Sequence, residues 1–425
     1  MNPAFIGTHG TNERRKLIVR ILFLTARQFW PIDTGGKLRD YHLARQLASR
    51  ARVTYLGFAD PATPDDCPQH LAAAFTSIIM EPRNAGYSAI NLARGLVDRL
   101  PATVLNYTTP GMQRRLQHVL SSEAFDVIQM EGVHLAGYWP LLKQARGRPR
   151  IISDWHNIES ELMTRYAANA RNPAVRLYAR ATAQRLERLE SMLLHECDAI
   201  LVASARERQE LLHRSPAASV HVVENGVDTA YYANPHARRI VPIAQPSILF
   251  VGSMDYHANI DAAIWFANEL WPAIKARHPD LTFQIVGRAP PPSVRALTRY
   301  PGIIVTGSVP DVRPYYRDAL AAVVPLRVGG GTRLKILESM AAGTPVVSTS
   351  IGAEGLLATA GNEILIADTA AAFLSAITRL VTDEQLSSDL SRAALRHVVA
   401  TYDWSVVGAR LLAIHQATID LGRAA

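Results

Sequence analysis

Short apolar runs of strand length alternate with helix-length stretches along the whole chain, and nothing else in the sequence restricts the fold as strongly. In the first half the runs are Val19–Leu24, Val53–Leu56, Phe75–Met80, Val127–Met130, Ile151–Ser153, Ala199–Ala203 and Val220–Val223. In the second they are Ile248–Val251, Thr282–Val286, Ile303–Thr306, Ala322–Pro325 and Val346–Ser348. Strands separated by helices are joined by crossovers, and crossovers make parallel sheets. A long helical stretch, about Asn172–Glu196, repeats its charges on one face, and a polar, proline-bearing break at Arg238–Pro246 reads as a linker. With 425 residues, 48% of them apolar, the chain has material for two or three domains. The expected architecture is α/β, with two Rossmann-like, doubly wound domains facing each other across a cleft. Residues 18–235 make the first and 247–403 the second. Residues 1–17 are a flexible leader, 236–246 the linker, and 404–425 a closing helix centred on Trp404–Ile419.

Several classes are excluded by composition. No run reaches the ~18 apolar residues of a membrane span, and the first 17 residues lack the apolar core of a signal peptide. Cys67 and Cys197 fit no zinc or redox spacing and read as reduced thiols of a cytoplasmic protein. The net charge of +8 lies entirely in the first half: residues 1–240 hold 30 Lys+Arg against 22 Asp+Glu, and residues 241–425 hold 15 against 15. A basic half attracts anions, or else its arginines are scattered over solvated helices. Nucleic acid is disfavoured, because the chain has no recognised binding motif and no interleaved aromatic–basic tract. An anionic membrane face fits better, and Ser88–Leu100 sets Ile, Leu and Val beside arginines at helical spacing. That stretch suits the headgroup layer or simple packing on the sheet.

The richest segment is Gly329–Val347. Three glycines, Gly329–Gly331, follow an apolar strand and lead through Thr332 and Arg333 into a helix from Leu334 to about Ala342. Glycines at a helix N-terminus let backbone N–H groups close on an anion. Arg333 and Lys335 add two cations there, and Glu338 lies one turn further in. A diphosphate joined to a ribose would suit the set, with cations and amides on the phosphates and the carboxylate on the ribose hydroxyls.

Gly-Thr-Arg-Leu-Lys, then Glu338, then Met-Ala-Ala-Gly-Thr-Pro-Val closely resembles the donor-nucleotide segment of retaining glycosyltransferases of family 4, which have the GT-B fold. Asn225–Asp228, Asn-Gly-Val-Asp, looks like that family's tetrapeptide before the second domain, and the resemblance spans roughly residues 20 to 420. It implies a nucleotide diphosphosugar donor, a saccharide or lipid-linked saccharide acceptor, retention of configuration, no cofactor, and a last helix that crosses back to the first domain. Peripheral contact with the inner face of the cell membrane fits the same work. The alternative is a non-catalytic nucleotide-binding protein on the same scaffold. An NAD-dependent oxidoreductase is disfavoured by the missing dinucleotide fingerprint.

The remaining candidates lie where strands end. Gly35 and Gly36 open a helix after the first strand, a second potential phosphate cradle, and Lys37 or Arg39 could reach from it into the cleft toward the acceptor. Ser153-Asp154-Trp155-His156-Asn157-Ile158-Glu159 sits at another carboxyl end, where open α/β sheets bind ligands. His156 is the candidate contact to a sugar hydroxyl, as the family places a histidine at a corresponding end. Asp154 and Glu159 are general bases or helix caps, and Glu131 and Asn157 are acceptor contacts. In the second domain Gly252 and Ser253, Gly287 and Arg288, and the loop with Val309 face the same cleft as Gly331, Thr332, Arg333, Leu334, Lys335 and Glu338. His156, Arg333 and Lys335 are the expected catalytic groups. Two departures from the family stand out. Gly330 occupies the position of the first of two glutamates, and Ser253 and Asn259 stand where relatives often carry arginine and lysine. Arg333 and Lys335 are the obvious replacements for those cations, and the guanidinium fork of Arg333 is suited to phosphate. With no Asp-x-Asp and no metal-ligand spacing, amides, helix dipole and cations must stabilise the departing diphosphate, so no metal is expected.

Overall fold

The computed structural model describes residues 19–63, 66–83, 91, 93–95, 98–233, 246–328 and 333–424. The leader, nearly all of the linker, much of Ser88–Leu100 and the glycines before Arg333, with Thr332, lie outside them.

The first sheet contains β1 (Arg20–Thr25), β2 (Arg52–Phe58), β3 (Ser77–Glu81), β4 (Val127–Glu131), β5 (Arg150–Trp155), β6 (Ala199–Val202) and β7 (Val220–Val222). The second contains β8 (Ser247–Val251), β9 (Thr282–Val286), β10 (Ile303–Gly307), β11 (Ala321–Val324), β12 (Val346–Ser348) and β13 (Leu365–Ile366). All pairings are parallel, in the orders β3-β2-β1-β4-β5-β6-β7 and β10-β9-β8-β11-β12-β13. Each sheet therefore changes direction between its first and fourth strands, β1/β4 and β8/β11. Ligands of open α/β sheets bind beyond the carboxyl ends at such points. The expected pair of doubly wound sheets is present. Only β13 has no counterpart in the sequence reading, because two residues carry no period.

Central strands read as continuous apolar runs because both faces are covered. β1 (Arg-Ile-Leu-Phe-Leu-Thr) is buried after its first residue, with Leu22 and Leu24 in the core on one face and Ile21 and Phe23 on the other. Each such side chain contributes about 1.5–3 kcal/mol.

Five helices matter for the site: α1 (Gly35–Ala48) after β1, α2 (Glu159–Asn169) and α3 (Pro173–Glu196) after β5, α4 (Leu334–Ala341) after β11, and α5 (Trp404–Ala424). α5 packs on α1 of the first domain although it follows the whole second sheet in sequence. Its Trp404, Val407, Leu411 and Ile419 share one buried cluster with Phe23, Leu43 and Tyr55, and the Trp404 ring stacks on His42 at 4.7 Å. The crossing is pinned by backbone bonds: the N–H of Val227 donates to Tyr402 and that of Trp404 to Val227. No helix among the described residues is long and apolar enough to cross a membrane.

Candidate active site

The first half of the site is built on the carboxyl ends of β1, β4 and β5. His156, half-buried just past β5, places Nε2 3.3 Å from Asp40 Oδ1 and 3.2 Å from Glu131 Oε2. Asp40 comes from the interior of α1 and accepts from the Thr25 hydroxyl at 2.7 Å. Arg27, in the loop after β1, sets Nε 3.6 Å from the same carboxylate. Burial alone would push His156 down, but its hydrogen bonds to Asp40 and Glu131 outweigh that and raise it to about 9. Burial, then the nearby Asp154 charge, pushes Glu131 up to about 8. Asp40 is held below the usual carboxylate range, because Arg27 and His156 outweigh its burial. The cluster therefore favours a charged imidazolium paired with an ionised Asp40, while Glu131 ionises less readily than an exposed carboxyl, and with Arg27 alongside the environment attracts anions.

Arg39 corrects an expectation. It does not reach the cleft: its side chain is 1% exposed, and Nε and Nη2 clasp the two oxygens of buried Asp154 at 2.9 and 2.8 Å. Its Nη1 donates to Asn225 Oδ1 at 3.1 Å, so the guanidinium ties β5 to the end of the domain. Asp154 is thereby occupied as an ion-pair partner, neither base nor cap. Lys37 is 3.1 Å from Asp33, one turn back. The two carriers of the glycine turn differ as well. A Cβ on Gly36 would lie 1.8 Å from Arg27 Nη1, so this glycine makes room for a cation. Thr34 caps α1 by accepting from the N–H of Lys37. Among the described residues Asp40, Glu131 and His156 are also the one group placed closely enough to ligate a metal, all within 4.8 Å, an arrangement that sequence spacing does not reveal. Arg27 already supplies positive charge to Asp40, and His156 bridges the two carboxylates, so an ion-paired network accounts for the cluster.

The second half is assembled around α4. Its N-cap, Arg333, makes no side-chain capping bond, and its carbonyl accepts from the Ile336 N–H at 2.9 Å. Lys335 Nζ donates to Asn259 Oδ1 at 2.7 Å and lies 4.4 Å from the Phe250 ring centre, at the carboxyl end of β8. The ammonium thus stands beside Asn259, where the family often has its own lysine. Burial and the Arg333 charge lower Lys335 to about 7, against the pull of Glu338. Glu338 Oε2 accepts from the Tyr316 hydroxyl at 2.8 Å, and burial raises its pKa. Val309 packs half-buried against the small cluster of Leu249, Val286, Tyr316 and Ala322, which brings the loop after β10 near this carboxylate. Gly287 is required by close approach, since a Cβ there would lie 1.8 Å from the Gly252 carbonyl oxygen. Ser253 Oγ accepts from Arg288 Nε at 2.6 Å, and Arg288 is held further out between Asp255 and Asp33 of the first domain. Gly331 and Thr332 lie outside the described residues.

The two halves meet. A Cβ on Gly35 would stand 3.1 Å from Leu334 Cδ1, so the first turn of α1 touches the first turn of α4. Asn157 lies to one side, lining an interdomain cavity with Leu162, Ser204 and Glu354. Arg27 and Asp40 were not singled out in the sequence, and neither has a motif to mark it.

Residues 41–231 match the family model described as Glycosyltransferase Family 4, and residues 245–383 match Glycosyl transferases group 1. Anabaena Alr3699/HepE, solved in complex with UDP and glucose, superposes with a TM-score of 0.67 at 13% identity, covering 94% of this chain and all of that one. The chain has the two-domain GT-B fold, and each half matches a glycosyltransferase family model. Among curated relatives, glycogen synthase of Mycobacterium tuberculosis is 28% identical over 241 residues, 53% of this chain and 56% of that protein. The lipopolysaccharide core mannosyltransferase LpcC of Rhizobium leguminosarum bv. viciae is 26% identical over 296 residues, 65% of this chain and 80% of that one. The chain thus spans little more than half the length of the first of these relatives. In this GT-B framework the site sits between the sheets, with α4 contributed by the second domain and the His156 cluster by the first.

Proposed function

We propose that the protein moves a sugar from a nucleoside diphosphosugar to a hydroxyl of a saccharide or lipid-linked saccharide, with retention of configuration and without a metal. The observation that carries this reading is the uncapped first turn of α4, with Arg333 and Lys335 beside it, directly opposite Gly35. Amide donors, a helix dipole and two cations suit the diphosphate, which leaves with the electron pair of the broken bond to the anomeric carbon. The acceptor oxygen bonds that carbon and passes its proton to the departing diphosphate. Glu338 takes the ribose hydroxyls, and His156, held cationic by Asp40 and Glu131, donates to a hydroxyl of the reacting sugar. Retention rests on the family resemblance. The test is time-dependent release of UDP or GDP from nucleotide sugars, dependent on added acceptor; binding of the diphosphate without any release under such a screen would replace the transferase with a nucleotide-binding protein.

A pH signature follows from Lys335. With its pKa near 7, it is mostly neutral at pH 8 in the free protein, and a bound diphosphate favours the ammonium. Binding should therefore take up a proton at pH 8 and weaken as pH rises through 7, whereas below pH 6 the lysine is already charged and no uptake is expected. Titration calorimetry of UDP and GDP in buffers of different ionisation enthalpy measures this. The Lys335→Met variant should lose the uptake; retention of it would assign the proton to another group.

We also place peripheral membrane contact on the α2–α3 hairpin. Leu177 and Tyr166 are 70% and 58% exposed there, with Arg165 and Arg180 exposed alongside. Each cation near an anionic surface contributes about 1 kcal/mol. The protein should sediment with phosphatidylglycerol-containing vesicles at low salt and be released as salt rises, and a Leu177→Glu/Tyr166→Glu variant should bind less; equal sedimentation with neutral vesicles would remove the electrostatic contribution.

A further inference from the structure

A line of buried hydrogen bonds runs from the cleft through the first sheet to the closing helix, and the reaction outlined above leaves most of it unused. Glu131 Oε2 faces His156 Nε2 at 3.2 Å, and Glu131 Oε1 accepts from Gln129 Nε2 at 2.7 Å. Gln129 Oε1 in turn lies 2.7 Å from Nε2 of His415, on α5. Gln129 is fully buried and Glu131 and His415 are 2% and 3% exposed, so water does not substitute for any of these partners.

The polarity of the line is fixed by its chemistry. An amide oxygen only accepts, so His415 must donate from Nε2 and is the neutral tautomer protonated there. That agrees with burial, which drives the imidazole down to about 3. With its oxygen held by His415, Gln129 can offer only its NH₂ to Glu131. Glu131 Oε1 is therefore confined to accepting, and with Oε2 facing His156 Nε2 both oxygens are met by donors, which favours the ionised carboxylate. Were the amide reversed, its oxygen would face Oε1 and draw the proton to that side, away from the cleft.

We propose that His415 is a positioning residue, which orients Gln129 so that its NH₂ donates to Glu131 and favours the ionised carboxylate beside His156 in the cleft. The consequence rests on the transferase reading only in giving the cleft a substrate; the positioning itself belongs to the free protein. Groups facing Glu131 are His156 and Asp154 on and after β5, Asp40 and Arg39 on α1, Arg27 in the loop after β1 and Tyr55 on β2. None of them lies on α5, so a change at His415 reaches the carboxyl through Gln129. His415 is far enough along the chain that only the return of α5 to the first domain brings it here.

The measurement is an infrared titration of the protonated carboxyl band of Glu131 in the full chain without substrate, the band being identified by its loss in Glu131→Gln. The wild-type midpoint is expected near pH 8. In His415→Leu the freed amide reverses and stabilises the protonated acid, which should raise the midpoint by about one unit, since a hydrogen bond to a charged group is worth that much. Gln129→Met breaks the line from the other side without touching α5 and should raise it similarly, so the test survives if the His415→Leu protein fails to fold. His415→Gln restores a donor and should return the midpoint toward the wild type. An unchanged midpoint in Gln129→Met, or a His415→Gln midpoint displaced as far as that of His415→Leu, would overturn the proposal and leave His415 a packing residue. Because the band is read in the absence of substrate, either result stands even if no nucleotide sugar is turned over. Where turnover is found, the pH profile of kcat should move in the same direction and by the same amount.

Discussion

Replacing Arg39 by leucine should cost about 3–5 kcal/mol of folding stability, among the largest losses any single surface-neutral change could cause in the first domain. The guanidinium and Asp154 are 1% and 0% exposed and form a two-pronged contact. Removal of the arginine leaves a carboxylate inside the protein without its partner, and that uncompensated charge, more than the lost attraction, sets the cost. Asp154→Leu should be similarly damaging for the opposite reason. Combining Arg39→Leu with Asp154→Leu should recover a large part of the loss, since neither charge then remains. Urea unfolding followed by tryptophan fluorescence reads this directly, with Trp155 at the end of the same strand. A single variant that loses less than about 1 kcal/mol would mean that water reaches Asp154.

Lys335→Ala should reduce turnover by about 10²- to 10³-fold, the usual consequence of removing one preorganised charge from a group that departs as an anion. The affinity for a nucleoside diphosphate should fall much more than that for the nucleoside, because Lys335, in the first turn of α4, is expected to address phosphate only. Arg333→Ala should follow the same pattern, with about 1.5–3 kcal/mol lost from diphosphate binding. Glu338→Gln supplies the contrast: its contact belongs to the ribose, so nucleoside and diphosphate should weaken together. Isothermal titration with both ligands separates these cases. Equal losses for nucleoside and diphosphate in Lys335→Ala would show that the ammonium does not meet phosphate.

The fold was legible because central parallel strands are buried on both sides and leave continuous apolar runs, of which β1 and β8 are clear examples. β13 left no such record, and its two residues are recognisable only beside β12. In the site, α4 could be read because its glycines, cations and carboxylate are adjacent in the chain. Arg39 was misleading for a geometrical reason. Residues two apart on a helix point to nearly opposite sides, so Lys37 and Arg39 could not both face the cleft, and it is Arg39 that turns toward the sheet. Asp40 and Arg27 were invisible because their importance comes from three strand ends converging, not from any spacing between them. The pairing of Lys335 with Asn259 was half-visible: the sequence shows a lysine missing at one place and present at another, and the 2.7 Å contact shows that the two places are one.

The return of α5 also orders events during synthesis. The surface formed by Phe23, Leu43 and Tyr55 leaves the ribosome early, yet its cover of Trp404, Val407 and Leu411 is translated only after the entire second domain. Until then the nascent first domain carries an open apolar groove, the sort of surface that chaperones hold, and it cannot reach its final stability on its own. The half that contains His156 is thus finished last, so a chain cut short before residue 404 has its second sheet covered and the first still open.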